Sequence, residues 1–170
     1  MSRSRSSSVK LQKPDENVGH LYTLEVLLIG GPISEKFVKK NPVVSRTIQM
    51  RGDQTLQHLH NAIFDAFGRW EEHLYEFQFG KGPRDPDPRY GPSTEFGIDM
   101  DDGSAGTTKD TTLDSLDLKV GRRFDYWFDF GDDWWHQINV EAIEDQVPKG
   151  KFPKVTKRVG QSPPQYADDE

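Results

Sequence analysis

The chain has 170 residues, of which 33% are hydrophobic and 11% aromatic, with a net charge of −6 and no cysteine. That length fits one domain with tails. The missing cysteine excludes disulfides, thiolate zinc sites and a cysteine nucleophile, and no apolar run approaches the roughly 20 residues of a membrane span.

The opening stretch MSRSRSSSVKLQKP lacks the apolar segment of a secretory signal. The expected place of work is therefore cytoplasmic, with no membrane partner. Charge is unevenly spread. Arg3, Arg5, Lys10 and Lys13 put +4 on the first 14 residues, so the rest must carry −10 to reach −6. An acidic body argues against a broad nucleic-acid face, because phosphate contacts need clustered Lys and Arg. Residues 1–18 read as a disordered, solvated basic tail, and it is the one place where a nucleic acid could bind.

In chain order, LYTLEVLLI (21–29) alternates as a strand and stops at Gly30-Gly31-Pro32. PVVSRTIQM (42–50) alternates as a second strand, antiparallel to the first. Thr55 is placed to cap a helix over 56–67, with Leu56, Leu59, His60, Ile63 and Phe67 on one face and Gly68 at its end. LYEFQF (74–79) is a third strand. Residues 80–106 are rich in Pro, Gly and Asp and read as a long loop, with room for a short strand near 95–99. A short helix capped by Thr111 or Thr112 is expected through Leu113, Leu116 and Leu118. The last strands are 123–130 and 134–143. Residues 148–170 read as a loose tail, leaving a single domain over 19–147.

The densest chemistry lies in FDYWFDF-GDD-WWHQINVEAI (124–143). A three-residue loop at Gly131–Asp133 would pair Phe130 with Trp134, Phe128 with His136, Tyr126 with Ile138 and Phe124 with Val140. That register keeps the apolar faces together, and a slip of one residue would turn a whole face over. Asp129, Asp132, Asp133, His136 and Glu141 supply oxygen and nitrogen donors of the kind that hold a divalent cation. Ordinary turn chemistry explains the same aspartates, and His136 then becomes a hydrogen-bonded core histidine. Parity places His136 and Asp129 on opposite faces, so they meet only across a twist or bulge. His60 lies on the apolar helix face and His73 opens the third strand. A His60–His73–His136 cluster forms only if these elements converge.

These residues resemble those of one family, the plasmid pRiA ORF-three-like proteins, similar to the third open reading frame of a bacterial root-inducing plasmid. The resemblance rests on Thr55, Leu56, Leu59, His60 and Ile63; on Phe67, Gly68 and Trp70; on His73, Leu74 and Phe77; and on Tyr126, Asp129, Phe130, Gly131, Asp132, Trp134, His136, Ile138 and Glu141. Arg69 interrupts the family's Phe-Gly-Trp. The family's Pro-Pro-Glu-Asp ending is here Ser162-Pro163-Pro164-Gln165. The family is mostly uncharacterised, so the resemblance implies no reaction. The order of elements is itself similar to a β-grasp.

The expected fold is thus α+β, a mixed sheet packed on one main helix, with a β-grasp-like core and an added C-terminal hairpin strand. The expected site cluster is Asp129, Asp132, Trp134, His136, Glu141, His60 and His73. Asp129, Asp132 and His136 are the metal candidates within it. Three functions are in view. The leading one is a non-enzymatic module that binds a protein partner, since no complete catalytic set is present and Trp127 and Trp135 suit a protein interface. The others are a metal-dependent hydrolase or nuclease using the acidic-histidine hairpin, and a mobile-element-associated nucleic-acid-binding protein using the basic tail.

Overall fold

The computed structural model describes residues 19–93 and 103–166. Its core is one eight-stranded mixed sheet in the order β5-β4-β3-β6-β7-β1-β2-β8. The strands are β1 (Leu21–Gly30), β2 (Ser45–Arg51), β3 (Tyr75–Gln78), β4 (Arg89–Gly91), β5 (Gly106–Thr107), β6 (Arg123–Phe128), β7 (Trp134–Glu144) and β8 (Lys154–Val159). Alternation makes one face apolar: Tyr22, Leu24 and Val26 from β1, Ile48 and Met50 from β2, and Phe124, Tyr126 and Phe128 from β6 are all buried. An 11-residue helix, α2 (Leu56–Ala66), turns Leu56, Leu59, His60 and Ile63 inward. A six-residue helix, α1 (Glu35–Lys40), has no fully buried residue, and Phe37 packs partly against the core.

The ends of α2 are set by local chemistry. The Thr55 hydroxyl accepts from the His58 backbone N–H, and the His58 ring in turn accepts from the Thr55 N–H. That is a capping box with histidine in the place usually held by Glu or Gln. Gly68, at φ 67°, takes the left-handed position past the helix end. The helix is therefore where its spacing predicts it. The β1–β2 antiparallel pair is also as expected. The β-grasp expectation is finer than this sheet carries: the β1–β7 pair is antiparallel, and the parallel pair is the short edge β4–β5.

Four expectations are corrected. The hairpin register is displaced by two residues, pairing Phe128 with Trp134, Tyr126 with His136 and Phe124 with Ile138. Asp129 leaves the strand at φ 65° and closes a five-residue loop, its carbonyl accepting from the Asp133 N–H at 2.7 Å. Its carboxylate takes the N–H groups of Gly131 and Asp132. This register keeps every face as expected and sets Trp127 against Trp135, rings parallel within 4° at 5.0 Å. The 80–106 loop contains β4 and β5; the strand expected near 95–99 lies outside the described residues. The expected helix after Thr112 is one 3-10 turn, Asp114–Leu116, although Leu113 and Leu118 are buried. The expected loose tail 148–170 instead supplies β8 on β2 and a buried Gln165. The basic tail 1–18 lies outside the described residues.

Gly31 shows how tightly the hairpin is seated. A Cβ there would stand 2.3 Å from the Trp134 ring. Gly31→Ala is expected to destabilise the protein by about 1–3 kcal/mol through overpacking, read from the midpoint of urea unfolding at unchanged slope.

Candidate functional site

A chain of polar groups crosses the core from α2 to the hairpin. The Tyr126 hydroxyl lies 2.6 Å from His60 Nδ1, and His60 Nε2 lies 2.7 Å from Glu72 Oε1. Burial holds Tyr126 protonated by pushing its pKa well up, and burial, helped by Arg69, pulls His60 down to about 3. His60 is therefore neutral. Tyr126 donates to its Nδ1, the ring hydrogen sits on Nε2, and Nε2 donates to Glu72. The His60–Glu72 contact is a hydrogen bond from a neutral ring, although its distance would suit an ion pair. Tyr75 stacks on the His60 ring at 3.6 Å and 3° and fixes its plane.

His136 carries the opposite tautomer. Its Nδ1 donates to the Tyr126 carbonyl at 3.2 Å, and its Nε2 accepts from Arg69 Nη2 at 3.1 Å. Burial, then the nearby Arg69 charge, keep it neutral. Arg69 itself is only 5% exposed and lies over the rings of Phe67, Phe128 and Trp134, 4.8–5.4 Å from their centroids. Burial lowers its pKa to about 10 against the opposing influence of Tyr126 and Asp129, which still leaves it charged at neutral pH. Three ring faces and one imidazole nitrogen thus hold a buried guanidinium.

Outside this chain, the segment 69–74 and the turn 129–133 meet, the Asp129 N–H donating to the Leu74 carbonyl. Trp70 and Leu74 stand 64% and 56% exposed there, and Phe130 stands 38% exposed. Carboxylates lie on the same two segments, Glu71, Glu72, Asp132 and Asp133, with Asp129 buried. The segment is clamped from the C-terminal side. The Gln165 side chain accepts from the N–H groups of Trp70 and Glu71 and donates to the Glu71 carbonyl. The Tyr166 hydroxyl bonds to His73 at 2.8 Å and to Glu71. A cleft of about 530 Å³ opens beside it, lined by residues of α2 (Gln57, His60, Asn61) and of the facing segment (Glu72, Leu74, Tyr75).

The expected cluster divides into separate groups. His60 and His136 approach through Tyr126, which contacts both, and not through each other. His73 lies apart, 3.5 Å from Asp129 Oδ2 and edge-on to Phe128. Trp134 is buried beneath Arg69. Glu141 is exposed and, five residues along β7, is roughly 16 Å from His136 and on the other face. The donors expected for a metal are thus distributed among different contacts. Among the described residues no three His, Asp or Glu side chains come together as a ligand set. Both His136 nitrogens are committed, Asp129 Oδ1 is taken by the turn, and Asp132 only donates its backbone N–H to that oxygen. Arg69, Glu72, Tyr75 and Gln165 were not singled out by the sequence. Arg69 had a signal, a charged residue inside an aromatic motif; Gln165 had none.

The sequence model of the Plasmid pRiA4b ORF-3-like proteins matches residues 35–168, and the chain is a member. A curated relative, the uncharacterized protein y4hQ of Sinorhizobium fredii (strain NBRC 101917 / NGR234), is 30% identical over 125 residues. The match covers 73% of this chain and 59% of that protein, so the chain spans under two thirds of its relative's length. The fold is similar to the crystal structure of MM3350, a protein of unknown function from Methanosarcina mazei Go1. The TM-score is 0.67 at 21% identity, over 88% of this chain and 74% of that one. No helix among the described residues is long and apolar enough to cross a membrane.

The two buried rings make a spectroscopic prediction. His60 and His136 should stay neutral at pH 5.5 with opposite tautomers, Nε2–H for His60 and Nδ1–H for His136, as read from ring ¹⁵N shifts. A histidine held neutral by folding binds fewer protons than its unfolded counterpart below about pH 6.5. Stability is therefore expected to be full above that pH and to be lost as pH falls from there toward about 3 for His60. Each ring contributes a slope of at most about 1.4 kcal/mol per pH unit.

Proposed function

We propose that the chain is a non-enzymatic, cytoplasmic binding module that holds a basic protein partner at the end of the sheet carrying Trp70, Leu74 and Phe130. The observation that carries this reading is the exposure of these three large apolar side chains on rigidly anchored segments. Exposed apolar groups gathered on a surface mark interaction sites. Tryptophan is the side chain most often found at the energetic centre of an interface. The partner's sign follows from charge: Glu71, Glu72, Asp132 and Asp133 flank the patch, and the nearby cation Arg69 is buried. A partner segment with Lys or Arg beside an apolar residue is complementary to that arrangement.

The hairpin aromatics that the sequence favours as a docking surface support the reading less well. Trp127 and Trp135 stack on each other, Phe130 leans on Trp127 at 4.1 Å, and the Arg84 guanidinium lies over Trp135 at 4.7 Å. The Trp127 indole N–H donates to Asp133. The Trp127 and Trp135 contacts are satisfied within the chain and brace the turn from outside, whereas Phe130 keeps 38% of its surface exposed.

The test is capture from host lysate with the wild-type chain and with Trp70→Ala/Leu74→Ala, followed by cross-linking and mass spectrometry. The expected result is a protein cross-linked to segment 70–74 through a Lys- or Arg-rich stretch, weakened by salt and by at least about tenfold in the double variant. Equal capture by both chains, or cross-links through an acidic stretch, would overturn the proposal.

A further inference from the structure

We propose that the cleft between α2 and residues 72–75 seats one arginine side chain of the partner, its guanidinium on the Glu72 carboxylate. The proposal rests on the interaction-module reading above and names the chemical group recognised there. Charge decides first. Glu72, His60 and His73 are the titratable side chains near the mouth besides Tyr75, and no Lys or Arg lines the cleft. With His60 neutral, only the neighbouring His73 ring in the walls acts against the Glu72 charge. The cleft therefore favours a cation.

Geometry decides next. Glu72 is held in place, Oε1 by His60 and the carboxylate also by the His73 backbone N–H, yet its side chain remains 61% exposed. A carboxylate has about four acceptor positions, so two stay open. Across the cleft, Gln57 and Asn61 stand one turn apart on α2 and face the same side. Their carboxamides bond to nothing among the described residues. Their two amide oxygens and the open carboxylate positions make a spread set of acceptors. A guanidinium, planar with five N–H donors, can address such a set at once; an ammonium is a point charge with three. Leu74, Tyr75 and Pro92 supply the apolar wall along which the methylene stem of arginine lies.

The probe is N-acetyl-argininamide, titrated into the full-length, ¹⁵N-labelled protein. The expected result is saturable shifts confined to the Gln57 and Asn61 side-chain amides and the backbone of residues 72–75. N-acetyl-citrullinamide, which keeps the shape without the charge, should give none. Glu72→Gln keeps an oxygen for His60 and removes the charge, so argininamide binding and partner capture should both weaken at least about tenfold, with the ring ¹⁵N shifts of His60 unchanged. N-acetyl-lysinamide binding as tightly as the arginine probe would overturn the guanidinium assignment. Shifts elsewhere, or binding indifferent to Glu72→Gln, would overturn the site. The two readings fail separately. Capture that depends on Trp70 and Leu74 but not on Glu72 sinks this inference alone. Argininamide bound in the cleft while capture ignores Trp70 and Leu74 sinks the module reading.

Discussion

The Tyr126 hydroxyl sits wholly inside the protein, and a buried hydroxyl without a partner costs on the order of 1–3 kcal/mol. His60 supplies that partner, which is why a histidine is tolerated on the apolar face of α2. The consequences spread outward. Once Nδ1 accepts from Tyr126, the other ring nitrogen must donate, and Glu72 is drawn to it. Glu72 in turn fixes the start of the segment that carries His73 and Leu74. On the other flank the Tyr126 carbonyl orients His136, and His136 gives Arg69 its one hydrogen bond. One tyrosine therefore sets the tautomers of two histidines, His60 through its hydroxyl and His136 through its carbonyl, and with them the place of a buried cation and the direction of a surface carboxylate.

Much of the frame could be read from side-chain periodicity. Alternation identified β1, β2, β3, β6 and β7, and the i, i+3, i+4 spacing with Thr55 and Gly68 bounded α2. Parity also assigned the faces of the hairpin correctly. Its register was not legible, because two registers differing by two residues present the same faces. What separates them is the conformation of Asp129, which folds its carboxylate onto the next two N–H groups at φ 65°, and the gain from setting Trp127 on Trp135. Neither is a property of the pattern. The C-terminal strand escaped for a related reason: at an exposed edge KVTKRV shows little of the apolar alternation that marks a buried strand.

The site was legible in its residues and not in their roles. His60, His73, His136 and Asp129 are chemically conspicuous, and donor type alone suggested a metal. Only the fold shows that each of these donors already has a protein partner. Arg69 is the instructive case. A lone cation in an aromatic motif reads as an interruption, whereas in the folded chain three rings and an imidazole surround it. Glu72 was invisible because it is an ordinary acidic residue until the neutral His60 beneath it fixes its orientation.

The clamp formed by Gln165 has a temporal side. It is a carboxamide, able to accept from two backbone N–H groups through its oxygen and donate to a carbonyl through its nitrogen; a carboxylate in that place would have no hydrogen to donate. The groups it ties down lie 94 and 95 residues earlier in the chain. During synthesis, at about 5–20 residues per second, the helix and hairpin are complete well before residue 165 emerges from the ribosome. For those seconds the nascent protein has its sheet as far as β7 but neither β8 nor the clamp on residues 70–71, so a chain released early lacks the contact that ties that segment down.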